Sequence, residues 1–468
     1  MAIASVNPAT SETLATFDET TDEELEQKLA AAARCFADYR HTGFDERAGW
    51  MRRAGEILGE RTDEVARMMT AEMGKTFAAA KAEVGKCANA CRFYAEHAED
   101  YLADEPADPE AVGATRAYAT WQPLGAVLAV MPWNFPLWQV IRFAAPALMA
   151  GNVGLLKHAS NVPQTALFLE ELFRDAGFPD GCFQTLLISS KRVEQVLRDD
   201  RVVAATLTGS GPAGRSVASI AGDEIKHTVL ELGGSDPFVV MPSADLEKAA
   251  EVGTNARLLN NGQSCINAKR FIVHRDVADR FTELFVDRMS STTVGDPMAD
   301  ETGIGPMVSE QGRADVVELV EDAVQKGAKV LCGGETPDRP GWFYPPTVIT
   351  GITEEMRLYR EEAFGPVASL YVVDDIDEAI ALANATEFGL GSNAWTTDEA
   401  EIDRFVRDLD AGAVFINGNT TSYPDLPFGG VKGSGYGREL SAHGIREFCN
   451  LKTVWVGAGD YRGDPHTE

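Results

Sequence analysis

The stretch Leu258-Leu259-Asn260-Asn261-Gly262-Gln263-Ser264-Cys265-Ile266 places one thiol behind a glycine turn, among small polar side chains. A cysteine acts as a nucleophile where it is partly exposed and local dipoles favour its thiolate, whereas a structural cysteine lies inert in an apolar core. The other cysteines of the chain fit the structural interpretation. The sequence therefore predicts that Cys265 is a catalytic nucleophile.

A carboxylate follows a short apolar run upstream of this thiol. The stretch Leu230-Glu231-Leu232-Gly233-Gly234-Ser235-Asp236-Pro237 reads as a strand that ends in Glu231 and two glycines. A carboxylate within reach of a reactive centre can serve as a general base. Glu231 is thus the candidate base.

Five further motifs follow along the chain. They are Pro132-Trp133-Asn134-Phe135-Pro136, Leu155-Leu156-Lys157-His158-Ala159-Ser160, Thr208-Gly209-Ser210, Glu361-Glu362-Ala363-Phe364-Gly365-Pro366-Val367 and Pro427-Phe428-Gly429-Gly430-Val431-Lys432-Gly433-Ser434-Gly435. Together with the first two, they resemble the aldehyde dehydrogenase family in order and spacing, from about Asn7 to near Trp455. The resemblance implies an aldehyde dehydrogenase-like α/β fold, with two doubly wound α/β domains and a β oligomerisation arm.

The resemblance also implies how the chain divides. Residues 1–112 and 124–233 would form the dinucleotide-binding domain, and 431–450 would return to it. Residues 234–430 would form the catalytic domain, and 113–123 with 451–459 the oligomerisation arm. Because a two-stranded ribbon is not stable alone in water, we expect it to pair with another subunit in a homodimer or homotetramer.

Hydrophobic periodicity agrees with this division. Apolar spacing predicts helices at Asp22 to Tyr39, Asp45 to Met73 and Ala78 to Leu102. From the apolar run Gly125 to Met131 onward, strands and helices alternate, as in a doubly wound parallel sheet. A second series of this kind starts at Pro237, with helices near Leu246 to Leu259, Val277 to Met289, Glu310 to Lys326 and Asp377 to Asn384.

Length and composition bound the class of protein. A chain of 468 residues with 44% hydrophobic residues can bury two cores. No run approaches the roughly 18 apolar residues of a membrane span, and the N-terminus lacks a signal-peptide pattern, so we expect a cytoplasmic protein without a membrane partner. Seven cysteines without paired spacing indicate reduced thiols, and the absence of CxxC and HExxH motifs predicts no metal site.

The formal net charge of -30 excludes a further class. Nucleic acid binding needs clustered lysines and arginines, and no basic stripe offsets the acidic clusters at 18–24 and 374–378. A hydrated acidic surface in which arginine outnumbers lysine is typical of a halophile, and the alternative is an ordinary acidic enzyme.

One motif admits a second interpretation of the base. Gly209-Ser210-Gly211-Pro212-Ala213-Gly214 matches GxGxxG after a predicted strand, and Glu231 stands about twenty residues further on, where a dinucleotide fold carries its ribose ligand. The resemblance instead implies that Gly209 and Ser210 lie near the pyrophosphate and that Glu231 is the base.

The resemblance implies a covalent mechanism. Cys265 would attack the aldehyde, Asn134 and the Cys265 N–H would stabilise the oxyanion, and Glu231 would activate the water that hydrolyses the thioester. Lys157 and Glu362 would bind the two riboses of the cofactor. The cofactor-binding residues expected are Trp133, Lys157, Ser160, Gly209, Ser210, Leu232, Glu362 and Phe364.

Within the family, the stretch from Asn260 to Phe271 resembles succinate-semialdehyde dehydrogenases. Arg142, eight residues after Asn134, would bind the substrate carboxylate, and Ser422 or Tyr423 would contribute a hydroxyl. A second arginine of that subfamily, six residues before the nucleophile, is replaced by Leu259. Glutarate semialdehyde, an apolar or aromatic aldehyde, and a non-catalytic binding or structural role stay open.

The choice of cofactor is predicted from Lys157 and Ser160. Relatives that prefer NAD place a glutamate three residues after the lysine, where it repels a 2′-phosphate. Ser160 carries no charge and leaves Lys157 free to pair with phosphate, which favours NADP, with NAD possible. Alternatively, Ser160 caps the helix that begins at Pro163.

Overall fold

The computed structural model describes residues 3–459. Short 3₁₀ segments occupy 190–192, 259–262 and 432–434. The helices are α1 (Asp22–Tyr39), α2 (Phe44–Glu60), α3 (Thr62–Met73), α4 (Phe77–Tyr101), α5 (Trp138–Ala150), α6 (Pro163–Asp175), α7 (Val193–Leu197), α8 (Gly211–Asp223), α9 (Leu246–Leu258), α10 (Arg275–Ser291), α11 (Glu310–Gln325), α12 (Arg357–Arg360), α13 (Ile376–Asn384), α14 (Glu399–Asp408) and α15 (Ser441–Arg446). The strands are β1 (Ile3–Val6), β2 (Thr13–Phe17), β3 (Glu105–Pro106), β4 (Arg116–Pro123), β5 (Ala126–Met131), β6 (Val153–His158), β7 (Phe183–Thr185), β8 (Val202–Thr208), β9 (His227–Glu231), β10 (Asp236–Val240), β11 (Ala268–His274), β12 (Lys329–Cys332), β13 (Thr347–Thr350), β14 (Val367–Val373), β15 (Asn393–Trp395), β16 (Phe415–Ile416), β17 (Gly435–Tyr436) and β18 (Cys449–Val456).

A six-stranded sheet in the order β17-β9-β8-β5-β6-β7 forms the first half of the fold. Its strands are parallel except β17, which runs antiparallel to β9. Because parallel strands end at the same edge of a sheet, the residues that follow β5, β6, β8 and β9 meet there. This edge carries Asn134, Ser160, Gly209 and Glu231.

A seven-stranded sheet in the order β12-β13-β14-β11-β10-β15-β16 forms the second half, and only β12 is antiparallel to its neighbour. Alternate residues of β10 point to opposite faces, as the pleat requires. Val239 joins one hydrophobic core, and Phe238 and Val240 join the core on the other face. The expected α/β fold with parallel sheets is confirmed.

A separate three-stranded sheet has the order β18-β4-β3. Strands β4 and β18 pair antiparallel over their whole length, from Cys449 opposite Pro123 to Val456 opposite Arg116. Leu451 and Trp455 on β18 are exposed. The pair covers most of the stretches expected to form the arm.

The predicted helix from Asp45 to Met73 is wrong as one element, because α2 ends at Glu60 and α3 begins at Thr62. Arg61, with φ -104° and ψ 20°, breaks the helical path, and the hydroxyl of Thr62 donates to the carbonyl of Leu58 at 3.0 Å. Both helices bury apolar residues against α4, so the hydrophobic period continues through the break and hides it.

The described part of the chain has no helix with the length and apolarity needed to cross a membrane. Within the same residues no three histidine, cysteine or acidic side chains are grouped as metal ligands would be. All the cysteines of the chain lie in this part, and each is a free thiol.

Candidate active site

The loop before Cys265 takes a conformation that few residues tolerate. Asn260, Asn261 and Gly262 have φ values of 57°, 58° and 78° in succession. Asparagine and glycine are the residues that enter this left-handed region most readily. A Cβ on Gly262 would stand 2.4 Å from the carbonyl carbon of Gly365, so the turn also needs glycine for space. The Asn-Asn-Gly sequence therefore determines how the nucleophile loop leaves α9.

Buried amides hold this loop against both halves of the fold. The side-chain amide of Asn261 donates to the carbonyls of Gly74 at 2.8 Å and Pro306 at 2.9 Å, and Asn260 donates to the carbonyl of Asn134 at 2.7 Å. Because backbone groups so deeply buried need partners, each bond stabilises one arrangement of the loop.

A buried arginine provides a further brace that sequence reasoning missed. The guanidinium of Arg257 donates to the carbonyls of Gly262 at 2.6 Å and Gly365 at 2.8 Å. An arginine on a helix at this position gave no signal in the sequence, because its acceptors are carbonyls whose proximity depends on the fold.

Cys265 lies where two cavities meet, and of the described residues it is the one that lines both. The ammonium of Lys269 donates to its carbonyl at 2.8 Å, and its backbone N–H has no acceptor among residues 3–459. The buried amide of Asn134 lines the same cavity wall and donates to the carbonyl of Gln263 at 3.2 Å. Burial raises the pKa of the Cys265 thiol to about 12, opposed by the positive charges of Arg142 and Lys269.

The first cavity, of about 300 Å³, brings together most of the residues expected to bind the cofactor. Phe364 packs edge-on against Trp133, with ring centroids 5.7 Å apart. The carboxylate of Glu362 pairs with Lys269 at 3.0 Å, which links this cavity to the nucleophile loop. The lining residues are Pro132, Trp133, Asn134, Thr208, Gly209, Ser210, Leu232, Gly233, Cys265, Glu362 and Phe364.

Helix α8 starts at the edge of this cavity. Ser210 is its N-cap residue, and Gly209 immediately before it donates its N–H to the carbonyl of Glu231 at 2.9 Å. The free N–H groups at a helix N-terminus favour phosphate. A Cβ on Gly214 would meet the side chain of Leu232 at 2.6 Å, so this glycine of the GxGxxG match serves close packing of α8 on the strand that carries Glu231.

Lys157 and Ser160 lie at the end of β6, outside the lining of the two cavities. Burial lowers the pKa of Lys157, and in the described part of the chain its ammonium has neither a carboxylate partner nor a hydrogen-bond acceptor. The alternative that Ser160 caps α6 is wrong, because Val162 is the N-cap residue and no side chain caps that helix. Lys157 thus lies, with no ion-pair partner among the described residues, at the same edge of the sheet as Gly209, where an anion could pair with it.

The second cavity, of about 260 Å³, lies on the other side of the thiol and contains Arg142 and Ser422. Arg142 is 2% exposed and is engaged within the protein: its guanidinium pairs with the carboxylate of Glu439, donates to the hydroxyl of Thr208 at 3.3 Å and lies over the ring of Phe428. The sequence reasoning missed Lys86, Trp138 and Gln139, which line this cavity from α4 and α5.

Glu231 ends β9 and is buried, and it lines neither cavity, although the next residue, Leu232, lines the first. Neither of its carboxylate oxygens has a hydrogen-bond partner among the described residues. Burial, and then the charge of Glu439, raise the pKa of Glu231 well above its usual range, while Arg142 and Arg438 oppose the shift. A Cβ on Gly429 would stand 2.9 Å from one of these oxygens. A larger residue at position 429 would therefore clash with the Glu231 carboxylate.

Both the sequence and the fold of this chain are similar to those of known proteins. The model of the aldehyde dehydrogenase family matches residues 1–454. A relative from Mycobacterium tuberculosis, described as succinate-semialdehyde dehydrogenase (NADP(+)) 1, is 64% identical over 456 residues, which cover 97% of this chain and 100% of the relative. A Mycobacterium avium protein described as succinate-semialdehyde dehydrogenase (NADP(+)) is 62% identical over 472 residues, with 100% of both chains covered. The crystal structure of succinic semialdehyde dehydrogenase from Streptococcus pyogenes in complex with NADP+ superposes with a TM-score of 0.94 at 40% identity and covers 97% of this chain and 99% of that one. The chain therefore belongs to the aldehyde dehydrogenase family.

Proposed function

We propose that this protein oxidises succinate semialdehyde to succinate with NADP. The observation that carries the proposal is the position of Cys265, since one thiol lines both the cavity expected for the cofactor and the cavity that contains cationic side chains. A thiol shared by two cavities can meet an aldehyde from one side and a hydride acceptor from the other. The described substrate and cofactor of the relatives support the same reaction.

The first half of the reaction takes place on Cys265. Its thiolate adds to the aldehyde carbon, and the N–H of Cys265 and the amide of Asn134 donate to the oxyanion that forms. Within residues 3–459 that N–H has no acceptor, so it is free to donate to the oxyanion. NADP, when bound, supplies the hydride acceptor at its nicotinamide. Loss of the hydride from the tetrahedral adduct leaves a thioester on Cys265.

Hydrolysis of the thioester requires Glu231. The raised pKa of this carboxyl makes it a stronger base than an exposed glutamate once it is deprotonated. It removes a proton from water, and the hydroxide adds to the thioester carbon. The adduct then breaks its C–S bond, which releases succinate and the Cys265 thiolate, and the proton on Glu231 is lost to solvent. Among the described residues the Glu231 carboxylate accepts no hydrogen bond, so it can take a proton from this water without breaking an internal hydrogen bond.

The cofactor preference is assigned to Lys157 and Ser160. The buried ammonium of Lys157 has no counter-charge within the described residues, and a 2′-phosphate would provide one. Ser160 adds a hydroxyl and no repulsion. Ser160→Glu is expected to shift the kcat/KM ratio of NADP to NAD toward NAD by about tenfold or more, whereas Ser160→Ala leaves the charge unchanged and shifts it little. An unchanged ratio in Ser160→Glu contradicts the assignment.

The division into domains and the oligomer are proposals of the same kind. The antiparallel pairing of β17 with β9 supports the return of residues 431–450 to the cofactor domain, and the pairing of β4 with β18 supports an arm. Exposed apolar side chains on β18 favour its packing against another subunit. Sedimentation equilibrium should give a mass two or four times that of the 50.5 kDa chain, and a monomer contradicts the proposal.

The reaction is tested by steady-state kinetics on purified protein. Succinate semialdehyde, glutarate semialdehyde and benzaldehyde are compared at saturating NADP and at saturating NAD. We expect the highest kcat/KM with succinate semialdehyde and NADP. Faster turnover of benzaldehyde would replace the proposed substrate, and no turnover of any aldehyde would favour a non-catalytic role.

A further inference from the structure

Lys86 lines the cavity that contains Arg142 and Ser422, and its ammonium has no carboxylate partner among residues 3–459. It stands in the middle of α4, is partly buried, and donates to the hydroxyl of Ser422 at 2.7 Å. Its nitrogen lies 4.2 Å from the centre of the Trp138 ring, a contact that stabilises a cation. Burial and the nearby charge of Arg142 lower the pKa of Lys86 to about 8.

The other charges around the cavity are already compensated. Glu83, one turn earlier on α4, pairs with Lys75 and accepts from the backbone N–H of Leu137 at 3.0 Å and of Trp138 at 2.8 Å. Arg142 pairs with Glu439. In the part of the chain that the structure describes, Lys86 has no carboxylate within ion-pair distance, so it carries the uncompensated charge of this cavity.

Ser422 adds a donor at the same point. Its oxygen accepts from Lys86 and, at 3.1 Å, from the indole N–H of Trp138, which occupies both lone pairs. The hydroxyl proton is then left to donate, and it has no acceptor among residues 3–459. A buried donor of this kind needs a partner, and a hydroxyl donor beside an ammonium favours an anion.

We propose that Lys86 and Ser422 together bind the distal carboxylate of the aldehyde substrate, and that Lys86 is its main charge partner. The inference rests on the proposed function, which supplies an aldehyde with a carboxylate at the far end. Both residues line the cavity of about 260 Å³ that also contains Cys265, so one short acid can contact the three of them. Arg142 supports the positive potential of the cavity, but its guanidinium is held by Glu439.

The test compares succinate semialdehyde with its methyl ester, methyl 4-oxobutanoate, which keeps the chain and loses the charge. Lys86→Met should raise KM for succinate semialdehyde by about tenfold or more with kcat changed little. The variant lacks the charge-assisted hydrogen bond between the ammonium and the substrate carboxylate. The kcat/KM for the ester should stay the same or rise. Lys86→Arg, which keeps the charge, should retain most of the preference for the acid.

Lys81→Met is the matched control, since Lys81 lies on the same helix but is exposed and pairs with Asp63. It should leave both substrates unaffected. Inhibition by succinate, compared with inhibition by its uncharged dimethyl ester, gives a second measurement in which the ligand itself does not react, and Lys86→Met should weaken inhibition by succinate alone.

The outcomes separate the two proposals. If the wild type prefers the acid and Lys86→Met keeps that preference, the proposed function stands and the role of Lys86 is wrong. If Lys86→Met loses activity equally toward acid and ester, Lys86 has a structural role and the inference is also overturned. If the wild type shows no preference for the acid over the ester, the proposed function fails and this inference falls with it.

Discussion

At the scale of single residues, the thiol and the carboxylate divide the reaction between them. Cys265→Ala should abolish oxidation, because within residues 3–459 no other side chain lines both cavities and could form the thioester. Glu231→Gln should still form the thioester and release about one equivalent of NADPH per site in a burst, with steady-state turnover lowered by roughly 10²–10⁴-fold. Stopped-flow absorbance at the NADPH band measures both phases.

The control for the roles of Cys265 and Glu231 is the amount of thioester on Cys265 that acid quench traps. This amount should be larger in Glu231→Gln than in the wild type, because hydrolysis is slowed. Normal steady-state turnover in that variant would remove Glu231 from the role of base. That result would favour the alternative interpretation, in which Glu231 binds a ribose of the cofactor.

The pKa of Lys86 predicts that KM depends on pH for substrates that carry a distal carboxylate. Because that pKa is lowered to about 8 in the free enzyme, the ammonium is present below pH 8 and is lost as pH rises through it. The facing groups are Glu83 and Cys87 on α4, Arg142 on α5 and the hydroxyl of Ser422. KM for succinate semialdehyde should therefore rise above about pH 8.

The ratio of kcat/KM for the acid to that for its methyl ester isolates this effect, because the titration of Cys265 affects both substrates alike. The ratio should fall from pH 7 to pH 9.5 in the wild type and be flat in Lys86→Met. A flat ratio in the wild type contradicts the prediction.

At the scale of elements, the nucleophile loop depends on its turn. Gly262→Ala places a Cβ 2.4 Å from backbone at a φ of 78°, so neither the conformation nor the space suits it. We expect a loss of about 1–3 kcal/mol in the free energy of unfolding, together with a fall in kcat, because Cys265 moves with the loop. Urea unfolding and steady-state kinetics measure the two effects.

Gly49→Ala is the matched control, since Gly49 is an exposed helical glycine of α2 with nothing within 4 Å of an added Cβ. It should be neutral or stabilising by up to about 1 kcal/mol. Equal effects of the two substitutions would mean that the left-handed turn does not hold the nucleophile loop.

At the scale of the whole molecule, the formal net charge of -30 predicts a response to salt. Many surface arginines form ion pairs with more than one acidic residue. Arg198, for example, pairs with Glu194, Asp223 and Glu224. The excess of acidic side chains still repels, and this repulsion is screened as ionic strength rises. Tm should rise by about 5 °C or more between low and molar potassium chloride.

Sucrose at matched osmolality is the control, because it stabilises proteins without screening charge. A Tm that is flat or falls with potassium chloride, or that rises equally with sucrose, contradicts the halophile interpretation.

What the sequence by itself determined were features that depend on neighbours along the chain. The period of apolar residues predicted α1 within its bounds, and the Asn-Asn-Gly turn before Cys265 marked the nucleophile loop. The family motifs predicted the fold, and the match to the aldehyde dehydrogenase family confirmed it. Several of these motifs lie where a strand ends, as after β5, β6, β8 and β9.

Only the tertiary structure decided which charges are compensated. Arg142 was expected to hold the substrate, and the fold places it against Glu439, far along the chain, while Lys86 is left without an acidic partner among the described residues. Ion pairing depends on distances of a few ångströms and on burial, and neither is encoded in local spacing. For the same reason Arg257 and the break at Arg61 were invisible, because each depends on what packs beside it.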